Sequence, residues 1–121
     1  MKVLVIDDDK FLRTLLQSEL EQANMQVVIA SDGDEGIAKA KLEKPDAIVL
    51  DLILPKRDGF ELIEELQKTP EGKHAAIFIF SDLSQDHDKE EALRLGARGY
   101  FKKGENTVHH IVEAISALVI S

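Results

Sequence analysis

The sequence predicts a doubly wound α/β domain built on a parallel five-stranded sheet. Two observations predict it. Residues 3–6 (VLVI), 27–30 (VVIA), 47–50 (AIVL) and 75–80 (AAIFIF) are continuously apolar. Strands covered on both faces read this way, whereas strands with one wet face alternate. Longer amphipathic stretches take turns with these runs along the chain. Such alternation implies crossover helices and right-handed connections between parallel strands.

Each element follows from its spacing. Phe11, Leu12, Leu15, Leu16, Leu20 and Ala23 recur at helical intervals after the first run, and Asp9 stands where an N-cap belongs. Ile37, Ala38, Ala40 and Leu42 mark a second helix, with Gly33 and Gly36 weakening its start. Phe60, Leu62, Ile63 and Leu66 mark a third over residues 59–66. A fourth covers 89–95 and stops at Gly96. Tyr100 and Phe101 form a weaker fifth strand. The fifth helix, over 107–120, carries Val108, Ile111, Val112, Ile115, Leu118 and Val119 on one side. The acidic stretch 86–91 reads as a solvated helix start favoured by the helix dipole.

The chain has 121 residues, 44% of them hydrophobic, a formal net charge of −8 and no cysteine. One domain over residues 1–121 is expected at that length. Disulfides, thiolate zinc sites and cysteine nucleophiles are excluded. The acidic balance argues against nucleic acid or an anionic membrane as partner. No apolar run approaches the ~20 residues of a membrane span. Three aspartates follow the first apolar run at once, unlike a signal peptide. A soluble, cytoplasmic, stand-alone protein is the expectation.

In a doubly wound sheet, ligands bind beyond the carboxyl ends of the strands. There the chain places Asp7, Asp8 and Asp9 after the first run, and Ser31 and Asp32 after the second. Asp51 follows the third, Ser81 and Asp82 the fourth, and Lys102 and Lys103 the last. Carboxylates ~4 Å apart repel by a few kcal/mol per pair at an effective dielectric of ~20. A hard divalent cation such as Mg²⁺ offsets that repulsion with oxygen ligands. Lys103, with Lys102 as the lesser alternative, offsets the rest. A carboxylate beside a cation, a hydroxyl and an ammonium suits a phosphoryl acceptor. The adjacent His109 and His110 face apart on a helix and do not suggest a metal site.

These residues resemble a response-regulator receiver domain. The first strand with its acidic pair, residues 3–9, is similar to that family's. So is the loop 45–59, PDAIVLDLILPKRDG, and so is the segment 96–103, GARGYFKK. The resemblance covers the whole chain. It implies a flavodoxin-like three-layer sandwich with strand order 2-1-3-4-5. It makes Asp51 the phosphoacceptor, supplied by the phosphohistidine of a histidine kinase or phosphotransfer protein. It makes Asp7, Asp8, Asp51 and the Ile53 backbone carbonyl ligands of Mg²⁺ or Mn²⁺. Ser81 and Lys103 would hold phosphoryl oxygens, and Tyr100 would turn inward as Ser81 moves. Phosphorylation and dephosphorylation would be self-catalysed. The output surface would be the fourth helix, fifth strand and fifth helix, meeting a downstream protein or a second copy.

Three positions depart from the family pattern. Gly104 follows Lys103 where proline with a cis peptide is usual, and a cis bond before a non-proline residue costs ~3 kcal/mol. The sequence leaves open whether the Lys103-Gly104 peptide is cis or trans, and with it the placement of the Lys103 ammonium. Asp82 replaces a small residue. Ile53 and Leu83 are apolar where the family tunes hydrolysis, so slow dephosphorylation is expected. Two other readings stay open at this point. One is a degenerate receiver that binds partners without phosphorylation. The other is a haloacid-dehalogenase-type phosphatase with Asp7 as nucleophile.

Overall fold

The computed structural model describes residues 1–83 and 85–120, without the side chains of Val119 and Ile120. Five parallel strands form the sheet: β1 (Lys2–Ile6), β2 (Gln26–Ala30), β3 (Ala47–Leu50), β6 (Ala76–Ser81) and β7 (Gly99–Lys102). Their order is β2-β1-β3-β6-β7, the expected 2-1-3-4-5 with two short strands intervening in sequence. Those strands, β4 (Ile53–Leu54) and β5 (Arg57–Asp58), pair as a hairpin turned by Pro55 and Lys56, the latter at φ 70°. The sequence reading missed this hairpin because two-residue strands carry no periodicity.

The helices are α1 (Lys10–Gln22), α2 (Gly33–Glu43), α3 (Gly59–Gln67), α4 (Pro70–His74), α5 (Asp86–Arg94) and α6 (Val108–Ile120). The short α4 was also unforeseen. Thr69 caps it and Pro70 opens it, the residue types such a start favours. No helix among the described residues is long and apolar enough to cross a membrane.

Successive strand residues face opposite sides of the sheet, so two cores form. Leu4, Ile6, Ile48, Leu50, Ile77 and Ile79 pack with Ile37 and Ala40 of α2, Leu62, Ile63 and Leu66 of α3, and Ala92 of α5. Val3, Val5, Val49, Phe78 and Phe80 pack with Leu16 and Leu20 of α1 and with Ile111, Val112 and Ile115 of α6. Each fully buried Leu or Ile contributes about 1.5–3 kcal/mol.

Several expectations change. The core-facing stripe of α1 runs through Leu12, Leu16 and Leu20, so Phe11 (76% exposed) and Leu15 face outward, about one residue round the helix. Ala38 and Leu42 are likewise exposed on α2. That helix starts at Gly33, capped by the Asp32 side chain on the Glu35 N–H. Gly36 also has a packing role there, apart from its weak helix propensity. A Cβ on it would come within 2.6 Å of the Ile6 side chain, so glycine lets α2 lie close on β1. Helix α5 begins at Asp86, and within the acidic stretch Asp88 is buried, not solvated. The Val119 side chain, expected on the core face of α6, lies outside the described residues.

Candidate functional site

Strand β1 ends at Ile6, β3 at Leu50 and β6 at Ser81, side by side in the sheet. Asp7 and Asp51 therefore emerge next to each other, and both are buried. The Asp7 N–H donates to the Ala30 carbonyl and the Asp51 N–H to the Ile6 carbonyl, extending the sheet by one residue. Asp8 is exposed and completes a set of three carboxylates. One oxygen from each lies within 4.8 Å of the others.

The carboxylates are held in place. Asp7 Oδ1 accepts the Asp9 N–H at 2.9 Å, and Asp51 Oδ1 accepts the Ile53 N–H at 2.9 Å. Their other oxygens meet one ammonium. Lys103 Nζ lies 2.8 Å from Asp51 Oδ2 and 3.1 Å from Asp7 Oδ2, and 5.9 Å from the centre of the Phe80 ring. Asp9 caps α1 through Leu12, as its position suggested.

Burial pushes the Asp7 carboxyl above its ordinary value. The Asp9 N–H and Lys103 oppose this, and the Asp51 charge adds to it. Burial works to lower Lys103, but the hydrogen bonds and charges of Asp51 and Asp7 outweigh it and leave the ammonium raised. At neutral pH it is firmly charged.

Ser81 is fully buried at the end of β6, and its Oγ accepts the Leu83 N–H at 3.4 Å. The Lys103 N–H donates to the Ser81 carbonyl at 2.9 Å, which sets the two side by side. Tyr100, half-buried on β7, donates its hydroxyl to the Leu83 carbonyl at 2.7 Å. Burial, then the charges of Asp88 and Asp51, push its phenol up to about 12. No cis peptide bond occurs among the described residues, and Lys103 still reaches both aspartates.

The structure thus gathers Asp7, Asp8, Asp51 and Lys103, with Ser81 beside Lys103 through the backbone. Asp82 is exposed, and Ser31 and Asp32 serve the start of α2 instead. His109 faces Glu113 at 2.8 Å and His110 accepts the Thr107 N–H, so both imidazoles have local partners. Sequence reasoning missed Arg13, which donates to the Asp7 carbonyl at 2.8 Å. It also missed Phe80 beneath the ammonium, which reads as core. Gly59 was foreseen as a helix start and as the last residue of the loop 45–59. A Cβ on it would come within 2.4 Å of the Leu52 backbone, so α3 presses directly on the segment after Asp51.

A set of three hard oxygen donors at this spacing fits a small divalent cation. With the parallel sheet, these features define a flavodoxin-like α/β protein with an acidic site at its strand ends. The chain belongs to the response regulator receiver domain family, whose model matches residues 3–116. It is 42% identical over 102 residues to the alkaline phosphatase synthesis transcriptional regulatory protein PhoP of Bacillus subtilis, covering 84% of this chain and 42% of that protein. It is 32% identical over 118 residues to protein PilH of Pseudomonas aeruginosa, covering 96% and 98%. The chain spans about two-fifths of the length of the first curated relatives it matches. The chemotaxis response regulator CheY4 of Vibrio cholerae superposes with a TM-score of 0.86 at 28% identity, covering 96% of each chain.

Proposed function

We propose that the chain is a working phosphorelay receiver, a single domain acting in the cytoplasm, with Asp51 as phosphoacceptor. The observation that carries this is the Lys103 ammonium shared between Asp51 and Asp7, with Asp8 in reach. In the transfer, the N–P bond of a donor phosphohistidine breaks as an Asp51 oxygen bonds to phosphorus. The imidazole leaves with the electron pair. Asp7, Asp8, Asp51 and the Ile53 carbonyl would hold Mg²⁺ or Mn²⁺. That ion, when bound, neutralises charge on the transferring oxygens.

The protein's own groups do the rest. Lys103 pairs with one phosphoryl oxygen, and the Ser81 hydroxyl donates to another. Binding of Ser81 to the phosphoryl group takes Leu83 with it, and Tyr100 answers through the Leu83 carbonyl. The surface of α5, β7 and α6 carries the change to a downstream protein or a second copy. The donor is a histidine kinase or phosphotransfer protein. No nucleic acid or membrane partner is proposed.

Intact mass after incubation with acetyl phosphate and Mg²⁺ tests this. One added phosphoryl group is expected in wild type and none in Asp51→Asn. Retention in the mutant would move the acceptor, with Asp7 the next candidate. No addition to wild type, with a phosphorylated kinase also failing as donor, would leave a phosphorylation-independent binding module.

A further inference from the structure

Among the described residues four polar or charged residues are buried: Asp7, Asp51, Ser81 and Asp88. The first three belong to the strand-end site. Asp88 does not. It lies in the first turn of α5, where its Oδ2 accepts the Gln85 N–H at 3.3 Å. The Asp88 N–H donates back to the Gln85 carbonyl at 3.1 Å. Its Oδ1 stands 3.4 Å from Nε2 of the exposed His87. A helix start does not need a buried charge, because an exposed acid serves the dipole equally and Asp86 already does so. Burying a carboxylate is costly unless its partners repay it. The burial of Asp88 therefore asks for a second role.

Leu83 stands two residues before Gln85. The Leu83 carbonyl accepts the Tyr100 hydroxyl at 2.7 Å, and Leu83 and Tyr100 pack against the same core cluster. Leu83 is thus tied to β7, and Gln85 is tied to α5. We propose that Asp88 is a positioning residue for Tyr100. By holding Gln85 it keeps the Leu83 carbonyl within reach of the phenol, and so sets how far the tyrosine is turned in before a phosphoryl group arrives. Burial raises the Tyr100 phenol most, and the Asp88 charge adds to it. The inference rests on the receiver reading with Tyr100 as its switch.

Tyr100 is the single tyrosine and the chain has no tryptophan, so intrinsic emission reports this residue alone. Acrylamide quenching of the ligand-free protein is the first measurement. Asp88→Ala is expected to raise the quenching constant about twofold or more, as the loss of a hydrogen-bonded anchor frees the phenol. Asp88→Asn keeps an acceptor oxygen for Gln85 and should stay near wild type. Glu90→Gly weakens the same helix without touching the tie and should leave quenching unchanged. If Asp88→Ala melts earlier yet quenches like wild type, Asp88 is only a helix cap and the proposal fails. It fails equally if Glu90→Gly quenches as strongly as Asp88→Ala.

Mg²⁺ with beryllofluoride, a stable mimic of an aspartyl phosphate, is the second arm. It should return Asp88→Ala to wild-type protection. Binding there without restored protection overturns the link to the switch. Failure to bind wild type would instead overturn Asp51 as acceptor, and the ligand-free comparison would still decide the tie.

Discussion

Lys103 Nζ lies 2.8 Å from Asp51 Oδ2, across 52 residues of sequence. The backbone explains how. Register pairs Ser81 with Lys102, and the Lys103 N–H then bonds the Ser81 carbonyl, which aims the next side chain over the end of the sheet. The glycine after Lys103 does not spoil this. Lys103→Met should leave Asp7 and Asp51 facing each other unneutralised, at a cost of about 2–4 kcal/mol in metal-free urea unfolding. Mg²⁺ should recover part of that loss. Phosphoryl uptake at Asp51 should fall ~100-fold, the usual effect of removing one charge-stabilising group.

Asp8 adds a third negative charge to the set at the exposed side. Asp8→Asn should raise the metal-free melting temperature by a few degrees, about what a fraction of a kcal/mol gives at this size. It should weaken Mg²⁺ binding ~10-fold or more. Thermal melts with and without Mg²⁺ check both. A lower metal-free melting temperature in Asp8→Asn would show that the set is not repulsive.

The raised Asp7 carboxyl has a pH signature. The native state keeps a proton that the unfolded chain gives up. This contribution is complete below the ordinary carboxyl value and is lost as pH rises through the raised one. Without metal, Asp7→Asn should therefore gain on wild type as pH climbs from below the ordinary carboxyl value to above the raised one. Urea midpoints across that range test it, and a shrinking gap would contradict the assigned direction.

Gly59 is where α3 touches the Leu52 backbone. Gly59→Ala should cost several kcal/mol, since a close-packed backbone cannot retreat as a side-chain tip does, and overpacking of ~1–3 kcal/mol is a lower bound. Mg²⁺ affinity should fall too, because Leu52 links Asp51 to Ile53. Unfolding curves and metal titration of the same variant read the two effects.

Ile53 is exposed and Leu83 half-buried, and neither can orient water by hydrogen bonding. The aspartyl phosphate is expected to be long-lived. Leu83→Gln should shorten its lifetime ~10-fold, the low end of what a proton-transferring or water-orienting group supplies. Decay of the phosphorylated mass with time measures it, and an unchanged lifetime would count against this account.

Much of the fold was legible because buried parallel strands write themselves as unbroken apolar runs, such as residues 47–50. The helices were legible where their stripe was wide, as with Leu62, Ile63 and Leu66 of α3. Phe11 and Leu42 misled because an apolar residue one step off the stripe scores almost like one on it. The hairpin at Ile53–Asp58 was invisible because its pairing is set by the turn at Pro55 and Lys56, not by any period.

The candidate site residues were legible by type and place: Asp7, Asp8, Asp51, Ser81 and Lys103 all follow apolar runs. From the sequence alone came the alternation of strands and helices, and the chemistry waiting at the strand ends. Local order determines both, because hydrophobic period and strand termini are properties of neighbouring residues. Tertiary structure decided which lysine turns inward, that Tyr100 holds the Leu83 carbonyl, and that Asp88 is buried where its neighbours in the acidic stretch are wet. Those depend on strand register and on which face of a helix meets the sheet, distances through space that no spacing along the chain encodes.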